Sequence, residues 1–187
     1  KPGQRVFIGS ACGQPQELVR TLAQSTGKLS GLEVVRLMSL ETTSLSALAD
    51  QTKDITLSLR NIYLGSAHAE PIARHKRFIT PMNMSEVPDL FTSKKLPIHV
   101  AMIQTTPPDD FGWMSLGISV DVTLAAAMSA DLVIAQVNPR LPRVLGQSFI
   151  HVNDVDIVVE HEEEILTVGV RPPSDTAVRI GELIARL

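Results

Sequence analysis

The chain is poor in the residues that mark several common functions. Among its 187 residues there is one cysteine, Cys12, so no disulfide can form within it and a reducing compartment suits it. Aromatic residues make up only 4%, too few for stacking platforms along a nucleic-acid strand. Positive charge is not in excess: 17 Lys and Arg against 20 Asp and Glu give a formal charge of −3, which argues against binding a polyanion through the whole surface. No apolar run reaches the roughly 18 residues that read as a membrane helix. The opening Lys1-Pro2-Gly3-Gln4-Arg5 holds no signal-peptide core. We therefore expect a cytoplasmic protein with neither nucleic acid nor membrane as partner. The histidines His68, His75, His99, His151 and His161 show no zinc-ligand spacing, so we expect no metal. The first residue is not Met, which leads us to expect a processed or excised piece.

What is present is an ordinary globular balance of 44% hydrophobic and 20% charged residues, enough for one domain over 1–187. Arg5–Ser10 is a short apolar run ending in Gly and Ser, a buried strand. Leu18, Val19, Leu22 and Ala23 recur at helical spacing, with Gly27 as the stop, and Leu32–Met38 is a second strand. This βαβ unit predicts a parallel sheet. Ile55–Leu64 reads as one or two strands, Ala69–Arg74 as a short helix and Lys76–Thr80 as extended. Ser85–Thr92 reads as a helix capped by Ser85 with Pro88 in its first turn. Ile98–Gln104 and Asp131–Val137 are strong strands around a helix over Asp121–Ala130, capped by Ser119 or Asp121. Phe149–Glu160 alternates as a strand or hairpin arm. Ser174–Leu187 reads as a capped helix with Ala177, Ile180, Ile184 and Leu187 on one face. We expect it to lead into an absent second domain. The fold class is α/β, an open, mainly parallel sheet flanked by helices.

Candidate chemistry gathers on loops after strands, where ligands bind in open α/β sheets. Gly9-Ser10-Ala11-Cys12-Gly13-Gln14-Pro15 is one such loop. It is neither a dinucleotide fingerprint nor a phosphate loop, and it reads equally as a tight turn or a binding loop. Cys12 beside a helix start has a route to a low thiol pKa, yet a lone cysteine with no neighbouring histidine reads better as a small hydrophobe. In Thr106–Gly117 two prolines, Asp109, Asp110 and Gly112 build a rigid turn. Ser115 and Gly117 lack the first glycine of a nucleophile elbow, since Trp113 stands there, so Ser115 is expected to face a cleft as a polar group. Asn138, Arg140 and Arg143 follow a strand. The arginines are placed either to pair with a carboxylate or phosphate or to clamp neighbouring acidic residues. The run Glu160–Glu164 reads as a solvated edge.

Taken together, RVFIGSACGQPQELVRTL, LPIHVAMIQTTPPDDFGWMSLGISVD and ADLVIAQVNPRLPRVLGQSFIHVNDVD resemble the N-terminal domain of the acetyl-CoA hydrolase/transferase family. These are class I CoA-transferases, similar to 4-hydroxybutyrate and succinyl-CoA:acetate CoA-transferases. The resemblance covers nearly the whole chain and is weakest over Glu41–Asp54. It implies a CoA-transferase-like domain facing a C-terminal partner domain across a cleft. It also implies acyl-CoA and a small carboxylate as substrates and no tightly bound cofactor. An apolar face is expected to lie exposed where the second domain docks, so we expect the chain to self-associate as a homo-oligomer. In the family a glutamate attacks the thioester and passes through an anhydride to a glutamyl-CoA thioester. That glutamate belongs to the second domain, so no catalytic residue is expected here and the chain alone should be inactive. Gly9, Ser10, Cys12, Gly13, Gln14, Pro15, Gly112, Ser115 and Gly117 are then the candidate substrate wall. The competing expectation is a non-catalytic interaction domain that keeps the fold. A sugar-phosphate isomerase would need a phosphate cradle, and no Gly/Ser/Lys loop supplies one.

Overall fold

The structure, a computed structural model, describes residues 3–25, 31–38, 57–63, 77–169 and 172–186. Seven parallel strands form the main sheet: β1 (Arg5–Ile8), β2 (Glu33–Arg36), β3 (Ser58–Asn61), β4 (Arg77–Ile79), β5 (Val100–Thr105), β7 (Leu132–Val137) and β9 (Ile157–Glu160). Their order is β4-β3-β2-β1-β5-β7-β9. Two short strands, β6 (Trp113–Ser115) and β8 (Phe149–His151), pair antiparallel in a small second sheet. Among the described residues the α-helices are α1 (Gln16–Gln24), α2 (Val87–Thr92), α3 (Thr123–Ser129) and α4 (Asp175–Ile184).

Strand periodicity decides which helix covers which face. Val6 and Ile8 pack with Val19 and Leu22 of α1, while Phe7 between them packs with Phe91 of α2 and Val122 and Ala126 beside α3. Successive side chains of a strand point to opposite faces, so one strand serves both layers. Phe7 and Phe91 meet edge-on at 5.9 Å, a favoured aromatic geometry. Farther along, Ala101, Ile103, Val133 and Ala135 bury Met114 and Ile150 of the small sheet.

The sheet grows in two directions from its middle. β2 lies on one side of β1 and β5 on the other, which creates a topological switch point between β1 and β5. Crevices open there, outside the carboxyl ends of the strands.

Two sequence expectations need correction, and a third is resolved between its two alternatives. Ser85 does not cap α2; it lies in a 3-10 turn over Met84–Glu86, and the helix starts at Val87 with Pro88 in its first positions. Phe149–Glu160 is two strands in two different sheets. A 3-10 turn over Val152–Asp154 separates them, fixed where Asn153 N donates to His151 Nδ1 at 3.1 Å. The cap region of α3 uses Asp121, whose Oδ1 accepts from Thr123 N at 2.8 Å and Thr123 Oγ1 at 2.6 Å, whereas the Ser119 hydroxyl has no partner. The expectations for Gly27 and Ala69–Arg74, and the weak stretch Glu41–Asp54, lie outside the described residues.

Candidate functional site

The loop after β1 sits at the switch point. Gly9 N donates to Met102 O of β5 at 2.9 Å, and Ala11 N donates to Met38 O beyond β2 at 3.0 Å. The loop is thus pinned to both neighbouring strands. Ala11–Gly13 makes one 3-10 turn, with Ala11 at φ +49, a left-handed conformation that alanine adopts at a cost. Ser10, Gly13, Gln14 and Pro15 are buried and Cys12 is half-buried. The Ser10 hydroxyl is buried without a hydrogen-bond partner. At Gly13 an added Cβ would lie 1.9 Å from Ser119 Oγ. Glycine is therefore required for the close approach of two loops, those after β1 and after β6.

The passage after β5 is folded around Asp109. Its Oδ1 accepts from Trp113 N at 2.8 Å and Phe111 N at 3.0 Å, and Arg143 donates to its Oδ2 at 2.6 Å. These backbone N–H groups, Trp113 first, then Phe111, and with them the guanidinium, hold its carboxyl below the usual aspartate range against a partial desolvation that opposes them. Arg143 also donates to Trp113 O at 3.1 Å and lies 4.8 Å over the Phe149 ring. Of the two readings for Arg143 the structure realises the clamp. Gly112 has φ +84 and an added Cβ would meet His151 Nε2 at 2.7 Å; Gly117 has φ +59 and would meet Leu141 at 2.5 Å.

Ser115 does not face a cleft. It is fully buried, and its hydroxyl accepts from Gly117 N at 3.1 Å and Val144 N at 3.2 Å. Its own N–H donates to Thr106 Oγ1 at 2.9 Å. Burial demands partners for each polar group, and the turn takes all that Ser115 offers.

The loop after β7 and the acidic run form one assembly. Arg140 donates to Glu162 at 2.8 Å and to Glu164 at 2.9 Å, again the clamp reading, and both carboxylates, Glu162 foremost, raise its pKa. Glu163 departs from the solvated-edge expectation: it accepts from Arg20 at 2.7 Å and from Gln136 Nε2 at 2.7 Å. Asn138 Nδ2 donates to Glu163 O at 2.8 Å and to Gln104 Oε1 at 3.0 Å. Residues 161–164 thus lie as a strap across the carboxyl ends of the strands.

Gln104 and Gln136 were not singled out in the sequence. They are paired in register on β5 and β7 and are 1% and 0% exposed, values that set them among the core rather than the surface. The available signal was a glutamine as the fifth residue of two apolar strands, VAMIQT and LVIAQV. Gln136 Oε1 accepts from Glu17 N at 3.0 Å and Leu18 N at 3.4 Å. It supplies the side-chain cap that α1, with Pro15 at its N-cap, lacks locally.

The surface around these loops is open. A depression of about 320 Å³ is lined by Asp109, Trp113, Arg143 and Phe149, and one of about 430 Å³ by Pro107, Pro108, Val137, Pro139 and residues 160–162. Among the described residues no group of three or more His, Cys, Asp or Glu is arranged to hold a metal ion, and no helix is long and apolar enough to cross a membrane. The structure brings Gly9–Pro15 together with the Gly117–Ser119 turn at the switch point. Gly112 lies instead against His151, and Ser115 lies beneath the wall.

The chain is similar to known proteins in sequence and fold. The family profile described as acetyl-CoA hydrolase/transferase N-terminal domain matches residues 1–169. A 4-hydroxybutyrate coenzyme A transferase of Clostridium kluyveri is 37% identical over 98% of the chain and 42% of its own length. A succinyl-CoA:acetate/propanoyl-CoA:succinate CoA transferase of Fasciola hepatica is 30% identical over 99% of the chain and 38% of its own length. The crystal structure of a 4-hydroxybutyrate CoA-transferase from Porphyromonas gingivalis superposes with a TM-score of 0.76 at 28% identity, covering 100% of this chain and 42% of that one. The chain therefore spans about two fifths of the length of these relatives.

Proposed function

Because the chain belongs to the acetyl-CoA hydrolase/transferase family through this N-terminal domain, we propose that it forms one half of an acyl-CoA:carboxylate CoA-transferase or acetyl-CoA hydrolase. The observation that carries this reading is the 37% identity, over almost the whole chain, to a coenzyme A transferase. The substrates are an acyl-CoA and a small carboxylate, with no tightly bound cofactor.

The chemistry proceeds through a glutamate outside these 187 residues. Its carboxylate attacks the thioester carbonyl, and coenzyme A leaves as the thiolate, giving an acyl-glutamyl anhydride. The thiolate then attacks the glutamyl carbonyl, which releases the first carboxylate and leaves a glutamyl-CoA thioester. In the transferase a second carboxylate takes over the coenzyme A; in the hydrolase water attacks the glutamyl carbonyl instead, which restores the glutamate and releases coenzyme A as the free thiol. Splitting one exchange into successive acyl transfers lowers each barrier. The oxyanions formed need donors already in place.

The described chain supports this division of labour. Glu162, Glu163 and Glu164 are all engaged with Arg140 or Arg20, so none is offered as a nucleophile. Gly9, Ser10, Cys12, Gly13, Gln14, Pro15 and Gly117 form the wall that shapes the acyl pocket and excludes water. Ser115 supports that wall only through Gly117, whose N–H it accepts, and Gly112 lies apart from it against His151. The enzyme works in the cytoplasm as a homo-oligomer, a reading supported by Val178, Ile180, Leu183 and Ile184 of α4, all left exposed.

The test compares this chain alone with the full-length protein that contains it, in acyl transfer from acetyl-CoA to a carboxylate. We expect no turnover from the chain alone and, from the full-length protein, a glutamyl-CoA adduct sensitive to hydroxylamine or borohydride. Robust turnover by the chain alone overturns the split site. A full-length protein that binds acyl-CoA but forms no adduct and transfers nothing is the interaction domain instead.

A further inference from the structure

The amide cluster beneath the switch point has a geometry that reaches the substrate wall from both ends. Gln136 is its centre. Its Oε1 holds the first N–H groups of α1, at Glu17 and Leu18, and its Nε2 donates to Gln104 Oε1 at 3.3 Å and Glu163 Oε1 at 2.7 Å. Gln104 in turn donates to Gln14 O at 3.4 Å, inside the Gly9–Pro15 loop. Gln16, which follows that loop, donates to Glu164 O at 2.8 Å, on the strap that also carries Glu163. The loop is thus tied at Gln14 by one branch and at Gln16–Leu18 by the other, and both branches end on Gln136 or on the strap it holds.

We propose that Gln136 is a positioning residue that sets the Gly9–Pro15 wall, and so the affinity for acyl-CoA, without touching substrate. This rests on the reaction class proposed above. A leucine of similar volume would have filled the same space between β7 and α1, and it would have left two helix N–H groups, the Gln104 amide and the Glu163 carboxylate short of a partner. Low dielectric makes each of these bonds strong when formed and expensive when missing. The network therefore allows only one mutual arrangement of strap, helix start and loop. Neither glutamine is exposed, so both act through the loop.

The donor and acceptor roles can be exchanged, which gives a test that space-filling would not pass. In Gln136→Glu one carboxylate oxygen still accepts from Glu17 N and Leu18 N, but the other faces two acceptors, Glu163 Oε1 and Gln104 Oε1, and repels both, Gln104 keeping only its bond from Asn138. Adding Glu163→Gln restores a bond of reversed polarity at the same place, and the new amide oxygen still accepts from Arg20. In the full-length protein we expect Q136E to raise KM for acyl-CoA about tenfold with kcat within about twofold, the loss corresponding to one buried bond. Deuterium uptake over residues 9–18 should rise with it, and Q136E/E163Q should return both readouts most of the way. Unchanged KM and uptake in Q136E, or a double variant no better than the single one, overturns the proposal. If Q136E does not fold, Gln104→Met carries the same test, and unchanged KM and uptake there overturns it equally. Deuterium uptake needs no activity, so a protein without acyl transfer but with the predicted exchange pattern refutes the reaction class and leaves the positioning role standing.

Discussion

At the scale of single residues, Gly13 and Gly117 of the candidate wall owe their identity to close packing. An alanine Cβ at Gly13 would clash with Ser119 Oγ, an atom with no hydrogen-bond partner. Overpacking costs about 1–3 kcal/mol, so Gly13→Ala should lower stability by that order in urea denaturation. Ser119→Ala alone should be neutral or stabilising, because it removes an orphaned buried hydroxyl. The two together should recover most of the loss; a double variant no more stable than G13A would mean that the Ser119 backbone, not its hydroxyl, sets the contact. Asp109 carries a pH signature. Its native pKa lies below that of the unfolded chain, near 3.9, because Trp113 N–H, Phe111 N–H and Arg143 favour the charged form. The stability it contributes is complete above the unfolded value and disappears as pH falls through the lower native one. Asp109→Asn should therefore weaken the protein at pH 7 and flatten the acid limb of its stability profile. An unchanged slope between pH 5 and the acid transition would refute this.

At the scale of elements, α1 and α4 show opposite ways of beginning a helix. α4 has the local signal: Ser174 Oγ accepts from Ala177 N at 3.2 Å, the cap its sequence predicts. α1 has no local side-chain cap and borrows the Gln136 amide from a strand 119 positions away in sequence. Local capping makes α4 a self-contained helix, and its described residues are all exposed. Removing residues 172–187 should shift the melting temperature of the remaining domain by no more than about 2 °C, the effect of surface changes that break no buried contact. A large drop in calorimetry would show that α4 packs on the domain in solution.

At the scale of the whole molecule, the order β4-β3-β2-β1-β5-β7-β9 gathers the loops after β1, β5 and β7 at one edge. The loop after β1 is far from β5 in the chain, yet it is joined to that strand in space by the Gly9 N to Met102 O hydrogen bond. The same assembly leaves apolar side chains in water on α4, where Ile180 and Ile184 are 52% and 63% exposed, far more than a core-facing stripe shows. For the homo-oligomer proposed above, sedimentation should give a mass that rises with concentration, and Ile180→Glu with Ile184→Glu should reduce it to the monomer. A concentration-independent monomer in the unmodified chain would remove the case for self-association.

The amino-acid sequence by itself determined β1, β2, β5 and β7, the βαβ opening and the α/β class, but not β6 or the division of 149–160 between two sheets. Apolar runs such as RVFI and LVIAQV carry their own period and need no partner to be read, and the family blocks hold their order along the chain. It also marked the loops after β1 and β5 as the place to look. Tertiary structure alone decided what the polar residues there do. Ser115 turned inward because the 106–117 turn closes over it, Arg140 and Arg143 became clamps because carboxylates lie 2.6–2.9 Å away, and Glu163 left the solvent for Gln136. A hydrogen-bond partner is a matter of distance in space, and residue type and spacing do not encode it when the partners come from different strands.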